Sequence, residues 1–466
     1  MKTFYLKVIL VILTVCMTVN LGAAANETIR FTWEAGITQK VFYLGSTRGE
    51  DYTVDWGDNV TETFSGSGGA IGSALPHNYA AAGTYNVVIT GVNPNCLFSY
   101  LHCGNNQVTE LDLSDCTGLV MLYCYENQLT DLDVSANTGL TELWCMVNEL
   151  TELNVDGATA LEYFYCNNNE LTELDVSAHT QLIRFECWNN QITELDVSAS
   201  TQLTRLECYN NQLTDLVLSG ATALKFISCY NNQLTELIVS GATTLEYLYC
   251  FGNQLTELDV SANTQLGILE CYNNNFPLSE LFAFSELIAT PGFKLLGTQN
   301  LPPIPAIGIG NELFSDQSLF KGIYTTYAVT KNGNPAPSGD YTVVDGKITF
   351  NSMGNYTVTM TNSAISSNSH YPAKVIVEVE IVNNTDIPAV IRQSNVVVYP
   401  NPTSGELQVR CYELQAGDYG IYNVTGQLVM QGKLQGETTT INAGLLANGV
   451  YCLKLPNEVV KFVKRN

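Results

Sequence analysis

Basic residues are scarce in this chain of 466 residues. Lys and Arg together number 20 against 45 Asp and Glu, which gives a formal net charge of −25 at pH 7. Proteins that bind nucleic acid neutralise its phosphates with Lys and Arg side chains. This balance of charge therefore excludes nucleic acid as an expected partner.

Catalytic motifs are missing as well. The four histidines, His77, His102, His179 and His370, lie in separate segments, and the chain has no HExxH, GxSxG or P-loop motif. Carboxylates are plentiful, but they recur in columns, whereas a glycosidase needs one pair in a pocket. We therefore expect a protein that is not an enzyme, with no catalytic residue and no cofactor.

Long apolar runs are confined to the N-terminus. Lys2 and Lys7 precede an apolar run over residues 8–19, and three alanines follow at 23–25. This order of charged, apolar and small residues is typical of a secretory signal peptide, here residues 1–25. The run is too short to cross a bilayer. Since no later segment is apolar enough to do so, we expect an exported protein without a transmembrane segment.

The chain is rich in one pattern, a repeat of 21 residues. Nine cysteines recur at this spacing, and an asparagine follows each of them three residues later. A fixed period of this size indicates stacked repeats. The cysteines are Cys103, Cys124, Cys145, Cys166, Cys187, Cys208, Cys229, Cys250 and Cys271, and the asparagines are Asn106, Asn127, Asn148, Asn169, Asn190, Asn211, Asn232, Asn253 and Asn274.

One repeat, residues 203–218, reads LTRLECYNNQLTDLVL, and the general form is LxxLxCxxNxLxxLxV. A single repeat cannot bury these leucines and the cysteine, so neighbouring repeats must stack into one continuous core. The alternation around each cysteine predicts one parallel strand per repeat. The LTELDVS stretch also alternates, which predicts a second, flatter parallel sheet on the opposite side and little helix.

This pattern resembles the leucine-rich repeat family, of the internalin-like kind common on bacterial surfaces, over about residues 98–276. The implied fold is mainly β, a leucine-rich repeat solenoid of about nine 21-residue repeats flanked by β-sandwich domains. The solenoid is expected over residues 96–276.

We interpret the ladder cysteines as buried core thiols, because each takes a place that the family fills with an aliphatic residue. Stacked rungs would also hold their Cβ atoms about 1 Å farther apart than a disulfide requires. Zinc ligands at short spacing are missing. We expect the asparagines to satisfy backbone groups where the chain turns.

Acidic residues follow the repeat. Residues 97–276 hold 24 acidic residues against three basic ones, Arg184, Arg205 and Lys225. Two interpretations remain open, a solvated face or a face that collects divalent cations through oxygen ligands; no metal ligand is assigned. One column comprises Glu110, Asp131, Glu152, Glu173, Glu194, Asp215, Glu236 and Glu257, and the other comprises Asp112, Asp133, Asp175, Asp196 and Asp259.

Short alternating runs with turn residues between them predict a small β-sandwich over residues 26–95. Its DWGD segment at 55–58, HNY at 77–79 and GTYNV at 83–87 resemble the PKD family of extracellular domains. The resemblance implies a structural turn that places a tryptophan in the core. Calcium binding by the two aspartates of the DWGD segment is the alternative.

The repeat breaks at Pro277, which suits the first turn of a helix. We expect a helical cap over 277–300 that covers the open end of the core. Strand-and-turn composition over 301–383 predicts an Ig-like β-sandwich that serves as a spacer, and 384–395 is a predicted linker.

The last segment, residues 396–466, contains VYPNPTSG at 398–405, IYNVTGQ at 421–427 and LANGVY at 446–451. In this order the motifs resemble the type A C-terminal sorting domain of type IX secretion. The resemblance implies a β-sandwich that the type IX secretion machinery recognises as a partner. It also implies a secreted or cell-surface protein on the exterior of a Gram-negative outer membrane.

Two cysteine pairs outside the ladder are candidate disulfides. Cys96 and Cys116 lie near the N-terminal end of the repeats, and Cys411 and Cys452 lie in the last segment. An oxidising compartment would permit both.

Strand alternation turns the residues beside each ladder cysteine outward, onto the sheet that we expect to be concave. Aromatic residues are frequent there, and Tyr and Trp dominate binding hot spots, so we interpret them as ligand-binding residues. Cross-strand stacking that stabilises the ladder is an alternative that does not exclude binding. The ten residues, the aromatic strip, are Tyr123, Tyr125, Trp144, Tyr165, Trp188, Tyr209, Tyr230, Tyr249, Phe251 and Tyr272.

These features predict a secreted or cell-surface, adhesin-like binding protein that engages a protein or glycan ligand through the aromatic strip. The alternative is a structural surface-layer or matrix protein whose acidic solenoid responds to calcium.

Overall fold

A computed structural model describes residues 25–36, 39–68, 72–288, 293–383, 396–399, 405–411, 416–423, 427–435, 438–446, 449–455 and 458–464. The predicted signal peptide, apart from its last residue, and the predicted linker lie outside these residues. The chain divides into two compact units. The first contains Met1–Pro303, Glu312–Thr349 and Tyr356–Glu378, and the second contains Ile304–Asn311, Phe350–Asn355 and Val379–Asn466.

The first unit begins with six strands around an aromatic core. Trp33 and Trp56 are fully buried, and their rings stack with centroids 6.5 Å apart. Tyr79 accepts a hydrogen bond from Trp33 Nε1 and donates one to the Trp56 carbonyl. The core tryptophan of the predicted turn is thus confirmed, while the PKD label stays a prediction. The strands are β1 (Thr28–Ala35), β2 (Gln39–Ser46), β3 (Asp51–Asp55), β4 (Thr61–Ser65), β5 (Ser73–Asn78) and β6 (Gly83–Gly91).

These strands continue into the first repeat, which contains β7 (Phe98–His102) and β8 (Val108–Asp112). Strand β1 pairs antiparallel with β8, and β2 pairs antiparallel with β7. The sheet that contains β1 and β8 and the sheet that contains β2 and β7 therefore both cross the predicted domain boundary at residue 95. As a result, the N-terminal strands cover the first end of the repeat core.

The repeats form a parallel sheet in which each strand lies 21 residues from its neighbour, as predicted. Leu143, for example, lies opposite Leu122 on one side and Phe164 on the other. With β2, β5 and β7 at one end, the sheet has twelve strands. The repeat strands are β9 (Met121–Tyr123), β10 (Asp131–Asp133), β11 (Glu142–Trp144), β12 (Glu152–Asn154), β13 (Tyr163–Tyr165), β14 (Arg184–Glu186), β15 (Glu194–Asp196), β16 (Arg205–Glu207), β17 (Asp215–Val217), β18 (Phe226–Ser228), β19 (Tyr247–Tyr249) and β20 (Ile268–Glu270).

The second predicted sheet forms only in part. Within residues 97–276 it consists of two parallel pairs, β10 with β12 and β15 with β17. Each pair brings like charges into register, Asp131 beside Glu152 and Glu194 beside Asp215. Like charges in register destabilise a sheet, so these carboxylates oppose a longer second sheet.

The ladder cysteines are core thiols, which confirms their interpretation. All nine are unpaired and at most 1% exposed. Burial raises the pKa of the Cys103 thiol to about 12. Thiols in such surroundings stay protonated and act as small hydrophobes.

The predicted disulfide between Cys96 and Cys116 is wrong, because both are free, buried thiols. The Sγ atom of Cys116 instead lies 3.9 Å from Glu27 Oε2 and 3.9 Å from the carbonyl oxygen of Phe98. The other predicted pair includes Cys411, whose side chain lies outside the part of the chain that the structure describes.

The asparagine ladder satisfies backbone groups between rungs, as predicted. Asn190 is typical: its Nδ2 donates to the carbonyl oxygens of Cys187, at 3.0 Å, and Cys166, at 3.1 Å. Its Oδ1 accepts the backbone N–H of Leu171 at 3.0 Å. From Asn127 onward, each asparagine therefore joins its own repeat to the preceding one, while Asn106 joins the first repeat to Val41 of β2.

The helix of the predicted cap is present as α1 (Leu278–Leu287), which buries Leu278, Leu281 and Phe284. The helical prediction for the later residues of the 277–300 segment is wrong at 294–295 and 298–300, which are strands. Phe276 packs against Phe284 in an edge-to-face contact with centroids 5.3 Å apart. The helix follows the last full repeat and covers apolar residues at the C-terminal end of the core.

A tenth, irregular rung follows the helix. Its strand β21 (Lys294–Leu295) pairs parallel with β20. Gln299 takes the place of a ladder asparagine: its Nε2 donates to the Cys271 carbonyl and its Oε1 accepts the Asn274 N–H, both at 3.1 Å. The 21-residue repeat pattern does not predict this rung, because the helix is inserted before it.

The rest of the first unit is built from short strands. Strand β27 (Thr326–Lys331) pairs antiparallel with β31 (Gly354–Thr361), and β22 (Thr298–Asn300) pairs parallel with the start of β32 (Lys374–Val382). A short 3₁₀ helix spans Ser315–Gln317. The other strands of this part of the chain are β24 (Glu312–Leu313), β25 (Leu319–Phe320), β26 (Ile323–Tyr324), β28 (Asn334–Pro335), β29 (Tyr341–Val344) and β30 (Lys347–Phe350). Strand β23 (Ile304–Gly308) belongs to the second unit.

The second unit contains β23, which pairs with residues 379–382, and two C-terminal antiparallel sheets. The sheets enclose a core that includes Leu407, Ile421, Leu453 and Phe462. In the described part of the chain, no helix has the length and hydrophobicity needed to span a bilayer. The strands are β33 (Val396–Tyr399), β34 (Glu406–Cys411), β35 (Ala416–Asn423), β36 (Leu428–Gln435), β37 (Thr438–Asn442), β38 (Gly449–Leu455) and β39 (Glu458–Lys464).

Glu27 joins the N-terminal strands to the first repeats and makes the stability of this end dependent on pH. Its buried carboxylate accepts the backbone N–H groups of Phe98 and Gly118, each at 2.6 Å. Burial nevertheless raises the pKa of Glu27 above its usual value of 4.5. A carboxyl whose pKa is raised by folding stabilises the fold at low pH, and this contribution is lost as pH rises through the raised pKa.

We therefore expect the contribution of Glu27 to the free energy of unfolding to fall as pH rises above 4.5, and expect Glu27→Gln to remove this contribution. Urea unfolding across that range, beside the exposed control Glu149→Gln, measures it. An unchanged pH profile in Glu27→Gln would contradict this role.

Candidate functional site

The aromatic strip lies on the outward face of the twelve-stranded sheet, and all ten of its residues are half-buried. Tyr123, Trp144, Tyr165 and Tyr249 end their strands, and the other six directly follow a ladder cysteine. Half-burial results from packing of the rings against one another. The structure separates the strip into two groups and one outlying residue.

Five residues of the strip form a continuous stack, which we call the ring stack. Neighbouring centroids from Trp188 through Tyr209, Tyr230 and Phe251 to Tyr272 are 5.1, 4.3, 4.3 and 4.4 Å apart, and the ring planes diverge by 7–12°. The parallel rungs set this spacing, because strands in a sheet lie about 4.8 Å apart. The rings therefore cover each other's faces and present their edges and polar groups outward.

Four other residues of the strip form a less regular group near the N-terminal end. The Tyr123 and Trp144 rings stack at 4.6 Å, and Tyr165 meets Trp144 edge to face at 5.3 Å. Tyr125 is tilted against Trp144 at 6.2 Å. Tyr249 belongs to neither group and packs at 5.4 Å against Phe226.

Two rings from outside the repeats extend these groups. Tyr43 of β2 stacks on His102 at 5.4 Å, and Tyr371 packs on Tyr272 at 5.0 Å. Both are more than one-third exposed. The repeat pattern does not predict these two rings, because they belong to the N-terminal strands and to a loop before β32.

A charged patch lies between the aromatic groups and was also missed. Arg184 Nε donates to Glu186 Oε1, and Arg205 Nε donates to Glu207 Oε1, both at 2.7 Å. The Arg205 guanidinium also lies 3.6 Å from the centroid of the Phe226 ring. Composition alone could have indicated this patch, because two of the three basic residues of the repeats lie in it.

A second row of asparagines borders the ring stack. Asn189, Asn210 and Asn231 follow the stacked rings directly and adopt positive φ angles of 52–55°, a conformation that Asn tolerates better than most residues. Their exposed amides hydrogen-bond from rung to rung at 2.7–2.9 Å, beginning at Asn168. This row gives the apolar stack a polar edge.

The acidic columns lie elsewhere on the repeats and are exposed. Some of their carboxylates bond locally, as Asp196 Oδ1 accepts the Ser198 N–H at 2.8 Å. Among the residues that the structure describes, no three His, Cys, Asp or Glu side chains are grouped so that they could hold a metal ion.

The stacked 21-residue rungs with their leucine core define a leucine-rich repeat solenoid, which confirms the predicted fold class. The C-terminal segment specifies the export route. Residues 397–465 match the family of secretion system C-terminal sorting domains. The chain therefore combines a leucine-rich repeat solenoid with a C-terminal sorting domain, which indicates a secreted or cell-surface protein exported by type IX secretion.

Solved structures with similar chains include two from Listeria monocytogenes and one from Leptospira interrogans. The functional domain of InlJ from L. monocytogenes, described as including a cysteine ladder, is 29% identical over 59% of this chain and 64% of that one, with a TM-score of 0.46. The leucine-rich repeat protein LIC12759 from L. interrogans is 22% identical over 42% and 52%, with a TM-score of 0.34.

The internalin InlF from L. monocytogenes is 20% identical over 43% of this chain and 79% of that one, with a TM-score of 0.27. A comparison with curated proteins gave no match. This chain spans just under two thirds of the length of the InlJ domain that it matches.

Proposed function

We propose that this protein is a non-enzymatic, adhesin-like binding protein of the cell surface. It engages a protein or glycan ligand on the concave face of the solenoid, where the aromatic strip lies. The ring stack is the observation that carries this proposal. Five half-buried rings in register, bordered by polar amides, match the apolar centre and polar rim of an interface.

Stacking alone does not account for the charged patch and the additional rings. Cross-strand aromatic pairs stabilise a sheet, but Tyr43 and Tyr371 are exposed tyrosines at opposite ends of the same surface. The rings are already held in place by their neighbours, so little side-chain entropy remains to be lost on binding. A rigid surface of this kind is suited to recognition.

The test is a binding screen of the full-length protein against protein and glycan panels, beside the variant Trp188→Ala/Tyr209→Ala/Tyr230→Ala. We expect the variant to bind any ligand found at least about a hundredfold more weakly, because central aromatic residues contribute most of the affinity of an interface. Circular dichroism verifies that the variant is folded.

The matched control is Glu194→Ala/Asp215→Ala/Glu236→Ala, which alters the acidic column of the same three repeats. It should retain the affinity of the wild type. Equal binding by the wild type and the aromatic variant would show that the strip serves only for packing.

The second candidate is a structural surface-layer or matrix protein. The observation that favours it is the exposure of like-charged carboxylates in neighbouring rungs, which calcium would bridge. It predicts self-association that requires calcium, that the acidic-column variant abolishes and that the aromatic variant leaves intact. Light scattering with and without calcium separates the two functions.

A further inference from the structure

Glu270 is a carboxylate on the face that carries the aromatic strip. It ends β20, two residues before Tyr272, so the two side chains leave the sheet on the same side. The side chain is half-buried, and no residue in the described part of the chain donates a hydrogen bond or a positive charge to it. Glu142, on the same face, is by contrast bonded by the Tyr123 hydroxyl at 2.6 Å.

Two other rungs show how the solenoid neutralises a glutamate at this position. Arg184 begins β14 and pairs with Glu186, which ends it; Arg205 and Glu207 repeat the arrangement in β16. In β20 the arginine position holds Ile268. The described residues therefore supply no cation to Glu270, although a partly buried carboxylate without one is unfavourable.

Aromatic residues lie beside this carboxylate. Tyr249 is its register partner in the preceding rung, and Leu295 is its partner in the following one. Tyr272 carries Tyr371 on its ring. Burial raises the pKa of Glu270, which shows that its charged form lacks compensation. The carboxylate provides a counter-ion for a basic group, and the Tyr249 ring, which lies outside the ring stack, provides a cation–π contact. The Tyr272 hydroxyl, at the outer edge of the stack, provides a hydrogen-bond acceptor.

We propose that Glu270, Tyr249 and Tyr272 form a subsite for a Lys or Arg side chain of a protein partner. This inference rests on the proposed function of the aromatic strip. The net charge of −25 attracts a basic partner at long range. A protein is favoured over a glycan because the Phe251 and Tyr272 rings stack at 4.4 Å, which covers the ring faces on which a sugar would pack.

The test uses the full-length protein and a short peptide of alternating tyrosine and lysine, blocked at both ends. Its matched control is the same peptide with its lysines acetylated. We expect the charged peptide to bind the wild type roughly tenfold more tightly, the increment of one charge-assisted hydrogen bond. Glu270→Gln should remove this preference.

The control variant is Glu257→Gln, which removes the same charge from the exposed acidic column of the preceding repeat. It should keep the preference. A loss of preference in both variants would reveal general attraction to an acidic protein and would overturn the subsite.

A second variant tests the same point without removing the carboxylate. Ile268→Arg places an arginine where β14 and β16 have one, so it should pair with Glu270 in the manner of Arg184 and Glu186. We expect it to lower the pKa of Glu270 in a carboxyl NMR titration and to abolish the preference for the charged peptide. An Ile268→Arg protein that is folded and keeps the full preference would overturn the proposal.

Three other results would also overturn it. One is a preference that persists in Glu270→Gln, and another is no saturable binding of the charged peptide up to about 1 mM, a weak affinity for specific recognition. The third is Glu270-dependent binding of tetramethylammonium in place of the lysine peptide, which would indicate a small cationic ligand. If Glu270→Gln has no effect but the aromatic variant weakens both peptides, this inference fails and the proposed function stands.

Discussion

Replacing Asn190 with leucine is expected to destabilise the protein by roughly 2–5 kcal/mol, because a buried N–H group loses its partner and two carbonyls lose one each. The N–H of Leu171 has the Asn190 side chain as its acceptor. The carbonyls of Cys166 and Cys187 each retain a second asparagine donor, from Asn169 and Asn211. The cost therefore comes mainly from the N–H group.

Asn190→Asp keeps the shape of the side chain but removes its N–H donors. It preserves the acceptor for Leu171 but places a carboxyl oxygen against the two carbonyls, so we expect a loss of similar size. Urea unfolding measures both variants, beside Gln191→Ala, an exposed neighbour whose replacement should change stability by less than about 0.5 kcal/mol. Equal urea midpoints for Asn190→Leu and Gln191→Ala would contradict a structural role for the ladder.

Replacing Phe185 with alanine should cost about 3–5 kcal/mol, because it leaves a cavity in a packed core. Phe185 and Phe164 are both fully buried, and their rings stack at 5.2 Å near the middle of the nine cysteine rungs. In solenoids each repeat is stabilised by its neighbours. A weakened central contact should therefore let the two halves unfold separately.

Calorimetry tests this prediction, with two heat-absorption peaks expected for Phe185→Ala where the repeats of the wild type give one. Phe185→Leu is the matched control, since leucine fills this place in β16 as Leu206, and it should cost less than about 1.5 kcal/mol. A single, unshifted transition in Phe185→Ala would show that the central contact does not couple the halves.

The repeat core could be predicted from the sequence because its cause is periodic. Every 21 residues the same apolar positions recur, so the burial of the ladder cysteines and the bonds of the asparagines follow from one repeat. The tenth rung could not be predicted in this way. An inserted helix moves Leu295 and Gln299 out of the 21-residue register, and only the pairing of β21 with β20 reveals them.

The candidate site was predictable only where it follows strand alternation. Alternation placed the aromatic strip on one face, but it could not distinguish the close ring stack from the separate position of Tyr249. Tyr43 and Tyr371 reach the surface through tertiary contacts that no repeat encodes. That no described residue supplies a cation to Glu270 became visible only when β14 and β20 could be compared rung by rung. The wrong disulfide between Cys96 and Cys116 has the same origin, since spacing does not specify side-chain direction.

Chemical modification of tyrosines in the complex with a ligand from the screen tests the central claim most directly. Binding at the aromatic strip predicts that Tyr209, Tyr230 and Tyr272 become protected, while Tyr324, which is 49% exposed and lies outside the repeats, reacts as before. Unchanged reactivity of the three strip tyrosines in a saturated complex would contradict the claim that this face binds the ligand.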